Sequence, residues 1–385
     1  MSFEKIYLDN AATTRVDQEV LNAMMPYFTE KFGNASSLHS FGREAERAVS
    51  DARKVIMKRA NAKRHRLIFT SGGTESNNFA LKGVAFANRD RGKHIITTRI
   101  EHDCVLNSCK WLQKQGFDVT YLPVDREGFV SPDKLQEAIR KDTIIASVIH
   151  ANNEIGTIEP ITEIGKICSD HGVYLHTDAC QSFTKVPLNL DKQKIDLVTI
   201  NSHKIYGPKG VGGLFIREGV KIDPLMHGGG HEFGLRSGTD NVAGIVGFAK
   251  AAEITKDRHI ENMAKLRDML MDGALRIEDS WLNGPRKDRL CNNAHFTFKY
   301  IEGESLIIHL DLKGISSSTG SACSSKSLEP SHVLTAIGLK PEEAHGSVRF
   351  SLGKDNTSEE IAYTLDALKE AVGTLRKISP FKKRW

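Results

Sequence analysis

The sequence lacks long apolar runs. None approaches the ~18 consecutive apolar residues that a membrane-spanning helix requires. Its first residues, MSFEKIYLDNAATT, carry charge where a secretion signal would have its apolar segment. We therefore expect a cytoplasmic protein with no membrane partner.

Cysteines are few and show no pattern. The 385 residues include 6 cysteines, and no two of them form a CxxC pair. A disulfide framework and a zinc site built on such pairs are both disfavoured, because each needs regularly spaced cysteines. The sequence predicts reduced thiols and no bound metal.

Charge of one sign is not concentrated either. The 53 basic and 48 acidic side chains leave a net charge of +5, and the only basic run is Lys382-Lys383-Arg384. Nucleic-acid binding normally needs a clustered basic face. We expect no direct nucleic-acid partner.

The middle of the chain alternates strand-like and helix-like segments, which predicts an α/β fold with a mostly parallel sheet. The strand-like runs lie at 65–70, 94–98, 118–122, 144–150, 174–178 and 197–201. In such sheets ligands bind at the carboxyl ends of the strands. His102, Asn153, Asp178 and Lys204 all fall at or just past predicted strand ends.

The pattern changes near residue 255. A long charged helical stretch over 241–277 leads into shorter elements and a terminal helix, for which Thr357 to Glu360 fit a capping box. The glycine runs at 209–213 and 228–230 are interpreted as turns. We predict a large domain over 15–254 and a smaller α+β domain formed by 1–14 and 255–385.

Lys204 and Asp178 together fit one cofactor. Lys204 follows the apolar run 197–200, and Asp178 ends the run VYLHTD. A lysine amine can form a Schiff base with the aldehyde of pyridoxal 5'-phosphate, and a carboxylate can keep the pyridine nitrogen protonated so that the ring accepts electrons. This pair indicates the cofactor but not the reaction.

A phosphate site is indicated at Ser71-Gly72-Gly73-Thr74-Glu75, after the strand-like RLIFT. Glycines allow close approach of an anion, and the free amides of a helix N-terminus bind it. The segment lacks the lysine of a P-loop and the spacing of GxGxxG, which disfavours a nucleotide. With Asp178 and Lys204 in the same chain, the phosphate of pyridoxal phosphate is the better fit.

Ten motifs between Tyr7 and Gly353 resemble those of the cysteine desulfurases of the NifS/IscS class, and the similarity runs from about Tyr7 to about Pro380. They are YLDNAATT, TSGGTESNN, EHDCVL, HANNEIG, HTDACQS, SHKIYGPKG, HGGGHE, LRSGTDN, STGSACSS and RFSLG, in chain order. The resemblance implies a fold-type I pyridoxal phosphate transferase whose large domain holds a mostly parallel seven-stranded sheet. It also implies a homodimer.

The resemblance assigns roles around the cofactor ring. Lys204 would bind the cofactor covalently and Asp178 would partner the pyridine nitrogen. Gln181 would donate to the ring hydroxyl, and His102 would stack on the ring and move protons. The phosphate would be held by Gly73, Thr74, His203, either Asn201 or Ser202, and Thr239 of the neighbouring subunit.

The resemblance also assigns the substrate contacts and the nucleophile. Asn153, near the cofactor, and Arg349 would bind the substrate carboxylate, although an arginine on a short strand is ordinarily a surface residue. Cys323, in the small-residue stretch STGSACSS, would be the thiol that accepts sulfur. Cys180 lies between two expected cofactor ligands and receives no role.

The implied reaction converts L-cysteine to L-alanine and leaves the sulfur on Cys323 as a persulfide. An iron–sulfur scaffold protein or another acceptor would then receive it, for cluster assembly or tRNA thiolation. Two alternatives stay open: another pyridoxal phosphate lyase or aminotransferase, and a non-catalytic sulfur carrier. Cys323 disfavours aminotransfer, which needs no thiol, and the intact set of Lys204, His102, Asp178 and Cys323 disfavours the carrier.

Overall fold

A computed structural model of the chain describes residues 5–320 and 330–380. The strands in these ranges are β1 Ile6–Tyr7, β2 His65–Thr70, β3 His94–Thr98, β4 Asp118–Leu122, β5 Thr143–Ser147, β6 Tyr174–Asp178, β7 Leu197–Asn201, β8 Gly212–Arg217, β9 Ser280–Leu282, β10 Asn293–Phe298, β11 Ile315–Ser316 and β12 Ser347–Ser351.

The helices in the same ranges are α1 Gln18–Met24, α2 Pro26–Thr29, α3 Ser40–Arg59, α4 Gly73–Asn78, α5 Val84–Ala87, α6 Asp103–Lys114, α7 Pro132–Ala138, α8 Ile161–Asp170, α9 Val242–Ile254, α10 Asp257–Ala274, α11 Gly303–Asp311, α12 His332–Ala336, α13 Pro341–His345 and α14 Ser358–Ile378. A π-helical turn, Phe79–Gly83, joins α4 to α5, and a short 3-10 turn covers Glu232–Gly234. Within these ranges no helix is both long and apolar enough to cross a membrane.

Seven strands form the main sheet, in the order β2-β8-β7-β6-β5-β3-β4. Strand β8 runs antiparallel to both of its neighbours, and the other neighbouring pairs are parallel. The predicted α/β fold with a mostly parallel sheet is therefore confirmed. Because β2, β3, β6 and β7 run in the same direction, the loops that follow them meet at one edge of the sheet.

Strand β8 was missed by the sequence analysis, and the turn assigned to 209–213 was wrong at its end. Gly212 and Gly213 belong to β8 and pair with β2 and β7. A side chain at Gly212 would place its Cβ only 2.7 Å from the Cα of Gly72. The glycine therefore permits close packing of β8 against the turn that precedes α4, and it does not mark a turn.

The helical stretch predicted over 241–277 is two helices. Helix α9 ends at Ile254 and α10 begins at Asp257, and Thr255 and Lys256 between them have extended backbone. The break separates helices with different partners. Helix α9 is apolar on most faces and packs on α3, whereas α10 is amphipathic and packs on α14.

A second, smaller core lies around the antiparallel sheet β12-β10-β9. It combines Ile6 and Leu8 from the start of the chain with buried residues between 266 and 375. Helix α14 covers this core, and its capping box is present: the Thr357 hydroxyl accepts from the Glu360 amide at 3.2 Å, and the Glu360 carboxylate accepts from the Thr357 amide at 3.1 Å. We propose the division into 15–254 and 1–14 with 255–385 on this basis.

Glu232 anchors its own turn, Glu232–Gly234, to strand β2 at the edge of the main sheet. Its side chain is 4% exposed and accepts from the Phe69 amide at 2.7 Å and from Arg53 Nη2 at 2.6 Å. The Arg53 guanidinium also stacks on Phe69, with its Cζ 4.6 Å from the ring centroid. A buried carboxylate needs such partners because water cannot reach it.

We expect Arg53→Met to lower the free energy of unfolding by about 3–5 kcal/mol, because it leaves a buried carboxylate without its cation. The matched control is Lys54→Met on the same helix, whose partner Asp51 is solvent-exposed; its effect should stay within about 0.5 kcal/mol. Urea unfolding at one fixed protein concentration measures both. Equal losses in the two variants would contradict the role given to the buried pair.

Candidate active site

A cavity of about 290 Å³ opens at the edge of the main sheet where the parallel strands end. Its walls include most of the predicted site residues: Gly73, Thr74, His102, Asn153, Asp178, Asn201, His203, Lys204 and Arg349. Asp178 is the last residue of β6, and Lys204 lies three residues after the end of β7. The residues at strand ends that we expected to share one site therefore line one cavity.

Asp178 is a buried carboxylate at the base of the cavity, 5% exposed. One oxygen accepts from the Cys180 amide at 2.9 Å, and the other accepts from Asn77 Nδ2 at 2.6 Å. Burial opposes its ionisation, but the attraction of His102 and these hydrogen bonds together hold the pKa of Asp178 below its usual value. The cavity therefore contains a fixed negative charge at neutral pH.

His102 is the N-cap of helix α6. Its Nδ1 accepts from the Cys104 amide at 3.2 Å, which fixes the ring orientation beside the cavity. Burial lowers the pKa of His102, and Lys204 lowers it further, while Asp178 acts in the opposite direction. The ring is neutral at pH 7 and can both accept and donate a proton.

Close packing at Gly73 forms the wall where α4 begins. A side chain at Gly73 would place its Cβ 2.6 Å from Cys180 Sγ. Asn201 lines the same wall, and its Oδ1 is buried without a hydrogen-bond partner among the described residues. Of the two phosphate candidates left open by the sequence, Asn201 lies on the cavity. Ser202 does not, because its Oγ faces Gly207.

Arg349 is 2% exposed, so the surface position typical of such an arginine does not apply. Its Nη1 donates to the Asn153 carbonyl at 2.8 Å and to the Gly320 carbonyl at 3.2 Å, and its Nη2 donates to Asp9 at 3.0 Å. Its Nε has no partner in the described part of the chain. This buried cation beside Asn153 can bind a carboxylate that enters the cavity.

Two further predicted residues, Gln181 and Thr239, do not line the cavity. The Nε2 of Gln181 donates to the Ala11 carbonyl at 2.9 Å. Thr239 is exposed. Cys323 falls outside the described residues.

Sequence reasoning assigned no role to several residues that line the cavity, among them Asn77, Cys104, Glu154 and His332. Asn77 had a detectable signal, because it lies three residues after Thr74 and so on the same face of a helix. Glu154 had none. It is buried, and its Oε2 accepts from Ser331 Oγ at 2.5 Å across a large sequence separation.

Comparison with known proteins supports one family. The aminotransferase class-V pattern matches residues 6–364. A cysteine desulfurase IscS of Dictyoglomus turgidum is 56% identical over 385 residues, covering 99% of this chain and 98% of that protein. The chain belongs to the class-V aminotransferase family, among the cysteine desulfurases. The resemblance drawn from the motifs is confirmed.

Solved structures of the family have the same architecture. A NifS-like protein is 40% identical with a TM-score of 0.90, covering 96% of this chain and 100% of that one. A structure described as SspA in complex with cysteine is 37% identical with a TM-score of 0.83, covering 91% of this chain and 100% of that one. Class-V enzymes of this kind use pyridoxal 5'-phosphate.

The residues present fit this cofactor. Lys204 supplies an amine and Asp178 supplies an ionised carboxylate. Polar groups at the start of α4 and around the end of β7 come from Gly73, Thr74, Asn201 and His203. Burial and the neighbouring lysines, with Lys204 foremost, lower the pKa of His203 to about 4, so its ring is neutral. Among the described residues there is no group of three or more His, Cys, Asp or Glu side chains that could hold a metal ion.

We expect Gly73→Ala to weaken cofactor binding by at least about tenfold, because the new methyl group meets Cys180 Sγ at a distance that real atoms do not adopt. Replacing Cys180 by Ala in the same chain should restore much of the loss. Gly373→Ala, in open space on α14, serves as the control. Titration of the cofactor by absorbance measures all three. If the double variant bound the cofactor as weakly as Gly73→Ala does, the contact with Cys180 would not be the cause of the weaker binding.

Proposed function

We propose that this protein is a cysteine desulfurase that converts L-cysteine to L-alanine and transfers the sulfur to Cys323 as a persulfide. The observation that carries the proposal is one cavity that combines the ionised Asp178, the Lys204 amine and the buried cation Arg349. The relatives named cysteine desulfurase, and the neighbouring structure described as a complex with cysteine, support the same reaction.

Lys204 would hold the cofactor through its aldehyde group, and Asp178 would hold it through its ring nitrogen. When bound, pyridoxal phosphate supplies an electron-accepting ring that stabilises negative charge at the substrate Cα. Asp178 would keep the ring nitrogen protonated, because an ionised carboxylate favours the positive charge on that nitrogen. Lys204 would bind the cofactor covalently, and its free amine would move the proton at the substrate Cα.

Arg349 and Asn153 would orient the substrate. The carboxylate of L-cysteine is the group that a buried guanidinium recognises best, through charge-assisted hydrogen bonds. Arg349 is already held by the Asn153 and Gly320 carbonyls and by Asp9, so it loses little freedom on binding. Substrate binding would therefore fix the carboxylate of the amino acid inside the cavity that Lys204 also lines.

Cys323 would take the sulfur and His102 would move a proton. The bond between Cβ and Sγ of the substrate breaks, a bond between that sulfur and the Cys323 sulfur forms, and the former Cβ gains a proton. L-cysteine and one thiol thus become L-alanine and one persulfide, with no external oxidant or reductant. His102, neutral beside Lys204 and Asp178, is placed for the proton transfers.

A homodimer with shared sites belongs to the proposal. Thr239 is exposed and outside the cavity of its own chain, as expected for a residue that completes the site of a neighbour. Large apolar side chains near the start of the chain are also exposed, including Phe28 at 58%, Phe32 at 65% and Leu38 at 90%. A partner subunit would cover such residues.

The sulfur acceptor completes the proposed role. We keep an iron–sulfur scaffold protein or another sulfur acceptor as the partner, with cluster assembly or tRNA thiolation as the destination of the sulfur. The cytoplasm is the proposed location, because thiols there stay reduced and a persulfide can be passed on.

The direct test is Cys323→Ser with L-cysteine and no added thiol. We expect normal cofactor absorbance but a loss of at least about a hundredfold in alanine formation, because the acceptor of the sulfur is gone. Cys168→Ala, which removes a buried thiol of α8, should retain activity. Alanine and persulfide are measured together. Alanine formation at the wild-type rate by Cys323→Ser would contradict the proposed nucleophile.

Shared sites are tested by mixing two inactive variants, Lys204→Ala and Thr239→Arg, the second of which blocks the phosphate site of the neighbour. In a mixed dimer the intact Lys204 of one chain meets the intact Thr239 of the other, so one site works. Random exchange should restore about a quarter of the wild-type activity. Mixed dimers that form but recover no activity would mean that Thr239 does not act across the interface.

A further inference from the structure

Cys104 joins His102 to Asp178 through a chain of hydrogen bonds. Its Sγ lies 3.1 Å from His102 Nδ1 and 3.1 Å from Asn77 Nδ2. Asn77 Nδ2 also donates to the Asp178 carboxylate at 2.6 Å. All four residues line the cavity, yet Cys104 and Asn77 have no part in the proposed reaction.

The direction of these bonds follows from their chemistry. Burial, and next the charge of Asp178, raise the pKa of Cys104 to about 12, so the thiol keeps its hydrogen. The two hydrogens of the Asn77 amide point to Asp178 and to Cys104 Sγ. The hydrogen of the thiol is then available to His102 Nδ1.

A second donor acts on the same nitrogen. The backbone amide of Cys104 also donates to His102 Nδ1, at 3.2 Å. Two donors on Nδ1 leave it no proton of its own, so the neutral ring carries its hydrogen on Nε2. In the described part of the chain Nε2 has no hydrogen-bond partner, and the residue lines the cavity.

We propose that Cys104 is a positioning residue for His102: its thiol adds to its backbone amide in holding the imidazole with Nδ1 unprotonated and the hydrogen on Nε2, and it couples the ring to Asp178 through Asn77. The inference rests on the proposed function only in treating His102 as a proton carrier. At neutral pH Nε2 therefore carries a proton that it can donate, and it can accept a proton only after it has given that one away. The thiol itself forms no bond with sulfur.

Several charged groups around His102 also shift its pKa. Asp178 and Asp103 raise its pKa, whereas Lys204 and His332 lower it, each by less than burial lowers it. A thiol that donates to Nδ1 stabilises the neutral ring and so adds to the lowering. Its removal should raise the pKa of His102.

The test is nitrogen NMR of the full-length, cofactor-loaded protein with labelled histidine, titrated between about pH 5 and 9, with His102→Gln used to assign the His102 signals. Cys104→Val removes the donor but keeps water out of the space, and Cys104→Ser keeps a donor. Cys109→Ala removes another buried thiol of α6, away from the cavity.

We expect wild type, Cys104→Ser and Cys109→Ala to show an unprotonated Nδ1 and a protonated Nε2. In Cys104→Val the backbone amide at position 104 still donates to Nδ1, so we expect a measurable fraction of rings with a protonated Nδ1 rather than a complete switch, and a pKa of His102 that rises by about 0.5–1 unit, the effect of one lost weak hydrogen bond. His102 signals and pKa in Cys104→Val equal to wild type would overturn the proposal, even if alanine formation fell. Shifted signals with wild-type alanine formation would support the proposal and count instead against the proton-transfer role of His102.

Discussion

An ionised carboxylate inside the protein is the constraint on which the site depends. Burial of Asp178 opposes its charge, and desolvating a carboxylate costs several kcal/mol, roughly, unless neighbours replace the lost water. The Cys180 amide and the Asn77 side chain take that role, and His102 adds its attraction at the lower pH where its ring is protonated. Cys180 follows β6, Asn77 lies in α4 and His102 caps α6, so these three elements must keep their relative positions for the charge to persist.

The same constraint accounts for the small residues around it. Helix α4 can bring Asn77 to Asp178 only if its first turn lies against Cys180 and β8, where Gly73 and Gly212 have no room for a side chain. Cys104 then occupies the space between Asn77 and His102. One buried charge thus connects the proposed phosphate wall, the proposed proton carrier and a thiol that forms part of the support.

Local patterns predicted the main strands well. The predicted bounds of β2, β3, β4, β6 and β7 equal the observed ones. Strand β5 was placed too far along the chain, ending at 150 where the strand ends at Ser147. Strand β8 was missed because Gly212 is there for a contact with Gly72, which no local pattern contains. The break at Thr255 was missed for a similar reason, since it depends on the different partners of α9 and α10.

The candidate site was predictable where strand ends and motif resemblance coincide, as for Lys204, Asp178 and His102. It was less predictable where a side chain can point either way. Asn201 and Ser202 are adjacent, and only the pairing of β7 decides that Asn201 lies on the cavity. Asn77, Cys104 and Glu154 depend on contacts between distant segments, which sequence spacing does not encode. The roles of the individual residues stay predictions.

Measuring the ionisation of Asp178 tests most directly whether a buried carboxylate supports the site. Carbon NMR of protein with labelled aspartate carboxyls, compared with Asp178→Asn to assign the signal, follows its protonation across pH. We predict an ionised carboxylate from about pH 8 down to below about pH 4, the ordinary range for aspartate. A carboxyl that is protonated at pH 7 would contradict it, since neither the ring nitrogen of a cofactor nor His102 would then have an anionic partner.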